Sequence, residues 1–445
     1  MNDSQFNIKI KDYRAISEAD IDINGITVLS GVNGCGKSSI SLLVYEYLNS
    51  SIQLESLLVN KIAQLFHEPL ILMEDILDDV LKGYDENTYN KNKDEIKLFY
   101  SKWNNNQINK DELTFELLPI ILNIKEFYND FEDKIISNEN QKLKISRITK
   151  LINNYLPYNY SGADFDDILR ALNSFLFTEI DKLKDSGSDF PSLIITDRLK
   201  KLYKNNTLPK RLDIKEFGVL LYSLTTSNQA REVHSLKNIF YIDSPLILEA
   251  ESEALLSNNH WKHLRDSIKK QNEFDSKLNI DNLFQDNIHI KNIEHTITFE
   301  ESFNYIRTDG KSFNLTNSAT GIKSFALLNL LYRNGLLTKN TLLLLDEPEV
   351  HLHPQWVVEY ARLVVLLNKH LGVKFLIASH HPEFVSSIKY ISEKENTTNG
   401  LNFYVAEEVG KFSFKYKSTG TEIEDTFDSF NKSFDLIDEY GDNEI

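Results

Sequence analysis

Gly31, Gly36, Lys37 and Ser38 stand in the pattern G-x-x-x-x-G-K-S, inside the stretch "ITVLSGVNGCGKSSISLLVYEYL" that begins at Ile26. Glycines at those places let the backbone curl until successive N–H groups point inward at phosphate oxygens. Asn33, Gly34 and Ser39 complete the loop, and the helix that follows adds its positive end. Lys37 would then reach the β- and γ-phosphates of a nucleotide, and the Ser38 hydroxyl would ligate Mg²⁺. Cys35 lies among these residues, so thiol alkylation is expected to block the loop.

A second group of reactive side chains lies in "TLLLLDEPEVHLHPQW", from Thr341. Four consecutive leucines suit a strand buried on both faces of a parallel sheet, and a carboxylate at its carboxyl end lies where ligands bind in such sheets. Asp346 there would orient Mg²⁺ through its water shell. Glu347 would polarise the water that attacks a γ-phosphate. A third group closes "KFLIASHHPEFV", from Lys374, where His380 or His381 could hydrogen-bond a γ-phosphate. The residues alone leave that choice open. With His351 and His353 these histidines also invite a zinc reading. H-x-H beside a proline is not the helical H-x-x-x-H spacing, however, and no third ligand is evident.

These side chains need elements to hold them. Ile26, Val28 and Leu29 read as a buried strand, and Ile40, Leu42, Leu43 and Tyr47 as one side of a helix. Phe6, Ile8 and Ile10 alternate with polar neighbours, as do Ile21 and Ile23. From about residue 51 to 235 the apolar spacing turns helical. In "ADFDDILRALNSFLFTEIDKL", for example, Phe165, Ile168, Leu169, Leu172, Phe175, Leu176, Ile180 and Leu183 fall on one face. β-like sequence returns near "KNIFYIDSPLIL", from Lys237, and "LNFYVAEEVGKFSFKYKS", from Leu401, reads as a hairpin around Gly410. The expected layout is a core half at 1–50 carrying the phosphate loop, a helical insertion at 51–235, and a second core half at 236–420. An acidic cap at 421–445 follows, with Phe427, Phe430 and Phe434 at helical spacing.

The 445 residues carry 49 Lys and Arg against 66 Asp and Glu, a net charge of −17, which repels nucleic acid unless positive residues are locally concentrated. No apolar run approaches a membrane span, and the opening "MNDSQFNIKIKDYR" lacks the apolar core of a signal peptide, so a cytoplasmic protein is expected. One cysteine permits neither an internal disulfide nor a Cys-based zinc site.

The phosphate loop and "LLLLDEPEVHLHP", separated by a large insertion, resemble the ABC-type ATPases of the SMC/RecF/OLD group and its members described as AAA-type ATPases. The resemblance covers roughly residues 5–50 and 237–410. It implies an α/β fold of the ABC-type P-loop NTPase class, with a mixed sheet core and a large α-helical insertion. It aligns "SHHPEFV" with the family's switch-histidine segment, which selects His380. "IKDYRAI" resembles the opening strand and assigns Arg14 to nucleotide phosphates or base. "NLTNSATGIKSFALLNLL", from Asn314, resembles the signature segment loosely. Gly321 and Lys323 align with G-E-K-S, whereas Ala319 replaces the signature serine and leaves Ser318 and Thr320 as the nearby hydroxyls. The glutamine loop has no firm counterpart; Gln229 is nearest to the returning β region.

The same resemblance implies slow ATP hydrolysis with Mg²⁺, catalysed by Glu347, His380 and Lys37. It also implies a homodimer or higher oligomer in which ATP is sandwiched between the phosphate loop of one copy and the signature segment of another. No D-x-D or H-N-H nuclease signature follows the ATPase motifs, so a separate protein effector, a nuclease or toxin, is the expected partner. Stand-alone ATPases of anti-phage systems such as PARIS and Septu are similar in size and layout. The alternative is a DNA-repair or chromosome-maintenance ATPase that clamps DNA through "KLKISRITK", from Lys142, and "RLKKLYKNNTLPKRLDIK", from Arg198. Those segments read first as solvated helix faces.

Overall fold

The computed structural model describes residues 5–81, 86–104, 138–155, 190–202, 207–225, 227–249, 259–269, 290–297 and 301–427, with scattered positions elsewhere. Two compact units emerge: Met1–Ile52 with Ile195–Ile445, and Gln53–Ile194.

The first unit is built on an eleven-stranded mixed sheet. Strands β1 (Phe6–Tyr13) and β2 (Ile16–Ile23) pair antiparallel, Phe6 opposite Ile23 and Tyr13 opposite Ile16. Their alternation buries Phe6, Ile8, Ile10, Ile21 and Ile23 completely, as a half-covered antiparallel strand requires. β3 (Ile26–Ser30) is buried at all five positions. It leads through the glycine turn into α1 (Lys37–Ile52).

β4 (Arg211–Glu216), β5 (Val219–Ser223) and β6 (Ser227–Ala230) extend the sheet beyond β1, with β4 antiparallel to it. This corrects the expected insertion boundary. Residues 195–235 belong to the core unit, because Leu212 and Ile214 register with β1 and, with Leu221 of β5, are buried in its interior. β7 (Asn238–Ile242) forms the opposite edge, so Gln229, in β6, is a whole sheet away from the strands that carry the acidic motif. The glutamine-loop placement therefore does not hold.

β11 (Thr341–Asp346) lies parallel between β7 and β12 (Lys374–Ser379), and β12 lies parallel to β3. Leu342 to Leu345 are fully buried, which is why the strand needs no alternation. β13 (Leu401–Gly410) runs parallel to β3 on its other side and hairpins into β14 (Ser413–Gly420), which returns to β2. Helices α7 (Thr320–Arg333), α8 (Pro354–Leu371) and α9 (Pro382–Lys394) share one apolar cluster with β3, β7, β11 and β12. A three-stranded sheet, β8 (Ile290–Ile297), β9 (Glu301–Arg307) and β10 (Ser312–Asn314), precedes α7. A short 3₁₀ turn (Pro245–Glu249) and α6 (Asn259–Lys269) follow β7. The fold is thus α/β, with a mixed sheet core and a helical insertion, as expected from the sequence.

The second unit contains α2 (Leu54–Leu81), α3 (Glu86–Asn104) and α4 (Glu139–Tyr155), and α5 (Phe190–Lys201) crosses the boundary at residue 195. Lys93 bonds Asp78, and the Trp103 indole donates to Asn60, so α2 and α3 run antiparallel. The run from Ala163 to Leu183 lies outside the described residues, Arg170 excepted. At the other end of the chain, Ile423 and Thr426 are buried and Phe427 packs on the core. Phe430 and Phe434 lie outside the described residues.

Candidate functional site

The phosphate loop takes the shape its glycines predict. Gly34 and Gly36 have φ of +83° and +103°, and Gly31 of +147°. A Cβ on Gly31 would come within 2.7 Å of the Ala406 methyl carbon, and one on Gly36 within 2.8 Å of Ile16. Only glycine fits, because both the angle and the space exclude a side chain. Lys37 opens α1 and folds back, its ammonium donating to the carbonyls of Gly31 and Val32 at 2.8 and 3.2 Å. Cys35 is fully buried, with its sulfur 3.5 Å from the Tyr416 hydroxyl. The expected alkylation of this thiol therefore requires the loop to open first.

Parallel pairing carries the remaining groups to the same end of the sheet. β3, β12 and β11 are neighbours that point the same way, so Gly31, His380 and Glu347 all leave from carboxyl ends. Ser38 Oγ donates to Asp346 Oδ1 at 3.1 Å, across 308 residues of sequence. The other carboxylate oxygen accepts from the Tyr241 hydroxyl at 2.9 Å. Burial pushes the Asp346 pKa up and nearby Glu347 and Asp243 push it further, while the bonds from Ser38 and Tyr241 oppose the rise.

Glu347 has a left-handed φ of +47°, uncommon for a residue with a side chain. Its N–H donates to the Ala378 carbonyl at 2.8 Å, which locks the turn to β12. Its carboxylate lies 3.0 Å from His380 Nδ1. That is ion-pair distance, although Nδ1 has no hydrogen-bond partner among the described residues. A cavity of about 290 Å³ is lined by Arg14, Asn33, Gly34, Gly36, Lys37, Ser38, Ser39 and Glu347. The residues read from the loop, the opening strand and the acidic motif therefore converge. Arg14 has a φ of +54° and donates to the Ser39 hydroxyl at 3.2 Å.

A nucleoside triphosphate with a divalent cation fits this arrangement. The loop's backbone lies bare at the cavity, Lys37 lines that cavity, and Ser38 and Asp346 present hard oxygen atoms of the kind Mg²⁺ would take. The matching family model is the AAA ATPase domain, over residues 6–385. The chain belongs to the AAA ATPase domain family. No curated protein matches it. Among solved structures, this AAA ATPase chain is similar to the Smc head domain of Pyrococcus furiosus, with an extended coiled coil and bound to the C-terminal domain of ScpA. That match has 9% identity, covers 98% of each chain and has a TM-score of 0.33. An SmcHead bound to the C-winged helix domain of ScpA matches at 9% identity, covering 94% of this chain and 97% of that one, with a TM-score of 0.34. The Smc head of Pyrococcus yayanosii matches at 10%, covering 96% and 99%, with a TM-score of 0.36.

The signature-like residues are not brought into this cavity. Ala319 is the N-cap of α7 and makes no side-chain cap bond. Ser318 Oγ donates to the Asn314 carbonyl at 2.7 Å, and Thr320 begins the helix. Gly321 is packed against the Trp356 ring, where an added Cβ would meet it at 3.0 Å. Lys323 is buried, and its ammonium pairs with Glu249 and donates to the Thr316 carbonyl at 2.9 Å. Within the single chain its charge is met by an internal carboxylate.

Several residues near the site carry no motif. Tyr241 lies near the end of β7 and Asp243 just beyond it; Asp243 accepts from the Trp261 indole at 2.6 Å and lies 2.9 Å from His260 Nε2. Glu349 and Ser379 hydrogen-bond at 2.7 Å behind the Glu347–His380 pair. The sequence signal for both was faint: an acid two residues after the catalytic candidate and a hydroxyl just before the histidine. Of the remaining histidines, His353 caps α8 by accepting from the Gln355 N–H, with Pro354 in the first turn.

Proposed function

We propose that this chain binds Mg·ATP at the carboxyl edge of its parallel strands and hydrolyses it slowly, as a switch. The observation that carries this reading is the Ser38–Asp346 hydrogen bond beside the Glu347–His380 contact. It unites a phosphate loop, a metal-orienting carboxylate, a water-activating carboxylate and a phosphate-facing histidine from three neighbouring strands. In this reading Lys37 and the loop N–H groups hold the phosphates, Ser38 and Asp346 hold Mg²⁺, Glu347 accepts the proton of the attacking water, and His380 contacts the γ-phosphate. When bound, Mg²⁺ supplies neutralisation of phosphate charge.

Nothing in this set caps the far side of the γ-phosphate. Ser318 and Thr320, at the start of α7, are the groups of a second copy that would do so, helped by the backbone around Gly321. ATP then joins copies and hydrolysis releases them. Phosphate release by the wild-type chain tests the chemistry. Size-exclusion chromatography of Glu347→Gln with and without ATP tests the switch, and a larger species with ATP is expected. Retained turnover with an unchanged profile would count against both.

The role we assign to the switch is that of an anti-phage sensor or scaffold that governs a separate nuclease or toxin. The acidic charge, which suits a basic protein partner, supports it. Co-purification from the native host tests it. The DNA-clamp reading is kept because Lys142, Arg147 and Lys150 are exposed along α4. A steeply salt-dependent DNA affinity, lost on substituting these three, would favour that reading.

A further inference from the structure

We propose that Glu349 is a positioning residue: a buried carboxylate that holds the strand end carrying Ser379 and His380 against the turn carrying Glu347. The inference rests on the ATPase reading and deepens it. Glu349 lies in the turn after β11, and its side chain is 2% exposed. Glu349 Oε1 accepts from Ser379 Oγ at 2.7 Å and from the His380 N–H at 3.3 Å, and lies 3.9 Å from His380 Nδ1. Ser379 Oγ in turn accepts from the His381 N–H at 3.2 Å, at the start of α9. One carboxylate oxygen therefore gathers the last residue of β12, the backbone of the histidine and, through the serine, the first cap of the next helix.

Glu349 Oε2 has no hydrogen-bond partner among the described residues. Burial raises the acid's pKa, so its environment opposes ionisation rather than rewarding it. A core serving stability alone gains nothing from a half-satisfied buried acid; an apolar side chain of similar volume would do as well or better. What the acid supplies is an acceptor at one point. It sits where the 3.0 Å approach of His380 to Glu347 is made without a hydrogen bond between them. The histidine's place is therefore set from behind, through its own backbone N–H and its neighbour's hydroxyl. Glu349 lines no part of the 290 Å³ cavity, so its effect falls on the turnover step and not on nucleotide binding.

The test compares steady-state phosphate release with the affinity for a fluorescent ATP analogue in Glu349→Ala, Glu349→Gln and Ser379→Ala. Glu349→Ala is expected to lower kcat by roughly tenfold to hundredfold, with KM and analogue affinity within about threefold of wild type. Glu349→Gln keeps a carbonyl acceptor and is expected to stay within about threefold of wild type in both constants. Ser379→Ala removes one of the two donors and is expected to fall between, so the proposal stays testable if Glu349→Ala does not fold. Wild-type kcat in Glu349→Ala or Ser379→Ala would overturn the proposal. So would a KM that rises as kcat falls, or a Gln variant as slow as Ala. A wild-type chain that releases no phosphate overturns the ATPase reading and this one together, whereas an active wild type with an unaffected Glu349→Ala overturns only the positioning role.

Discussion

The turn from Gly31 to Ser38 and the turn from Asn314 to Ser324 each lead into a helix with small and basic residues near its N-terminus. In the first, three glycines take positive φ and leave Asn33, Gly34 and Ser38 exposed at a cavity. In the second, Gly321 is pressed against Trp356 and Lys323 is drawn inward to Glu249. Both helices present backbone N–H groups, but only the first arranges a concave backbone around them. A helix N-terminus becomes a phosphate site when the preceding turn frees space for the phosphate, and glycine conformation decides that more than local composition does.

The widest separation between the two turns should come from their lysines and from the acidic motif that faces the first. Lys37→Ala should weaken nucleotide binding by roughly a hundredfold or more, read with a fluorescent analogue. Glu347→Gln should leave that binding intact and lower phosphate release by roughly a hundredfold to a thousandfold. Equal loss of binding in both variants would place Glu347 in the phosphate cradle rather than in the chemistry. The glycines come next. Gly36→Ala meets Ile16 and a left-handed φ at once, so roughly a tenfold or greater loss of affinity is expected. Gly321→Ala is crowded only by side chains, the Trp356 ring and the tip of Leu352. It should cost about 1 kcal/mol of stability in a thermal melt and leave the affinity of an isolated chain unchanged. An affinity loss in Gly321→Ala without ATP-driven assembly would erase the distinction between the two turns.

Lys323→Met sharpens the same point with a smaller effect. Removing the ammonium leaves Glu249, itself about one-third exposed, to return to water. A loss of about 2 kcal/mol of stability with unchanged nucleotide affinity is expected, checked by chemical denaturation beside analogue titration. Selective loss of ATP-dependent assembly, with stability unaffected, would instead assign this lysine the signature role.

What could be read from the sequence follows the same divide. Where function depends on backbone shape and strand order, the local pattern was enough: the glycine spacing, four leucines before Asp346 and a buried strand before His380 place the site. Strands β4 to β6 were hidden because "RLDIKE" and "VLLYS" are short and follow a basic, helix-like stretch; the pairing of β4 with β1 joins segments some two hundred residues apart, which periodicity does not report. The Lys323–Glu249 pair went unseen because a lysine near a helix start looks alike whether its partner is a ligand or a distant glutamate. Tyr241 and Glu349 went unseen for the same reason, since each acts through a neighbour on another strand.

The smallest expected effect concerns the other buried charge at these helices. α1 carries Glu46, 4% exposed, whose Oε1 lies 3.6 Å from Arg198 Nη1, much as α7 carries Lys323 against Glu249. Burial raises the Glu46 pKa and Arg198 only partly offsets the rise. The folded state therefore binds this proton more tightly than the unfolded chain does. Stability falls as pH climbs from the ordinary carboxylate range through the raised folded value, and the cost then stays constant above it. Glu46→Gln removes the titration and keeps a polar group beside Arg198. Its melting temperature should exceed that of wild type by roughly one to two degrees at neutral and alkaline pH, and the difference should vanish as pH falls into the carboxylate range. Nucleotide affinity should not change, because Glu46 does not line the cavity. A Gln variant that melts below wild type at neutral pH, with the gap closing on acidification, would mean that Arg198 outweighs burial and holds the carboxylate ionised. The paired charge on α1 would then stabilise the helix behind the phosphate loop, as the Lys323–Glu249 pair is expected to stabilise α7.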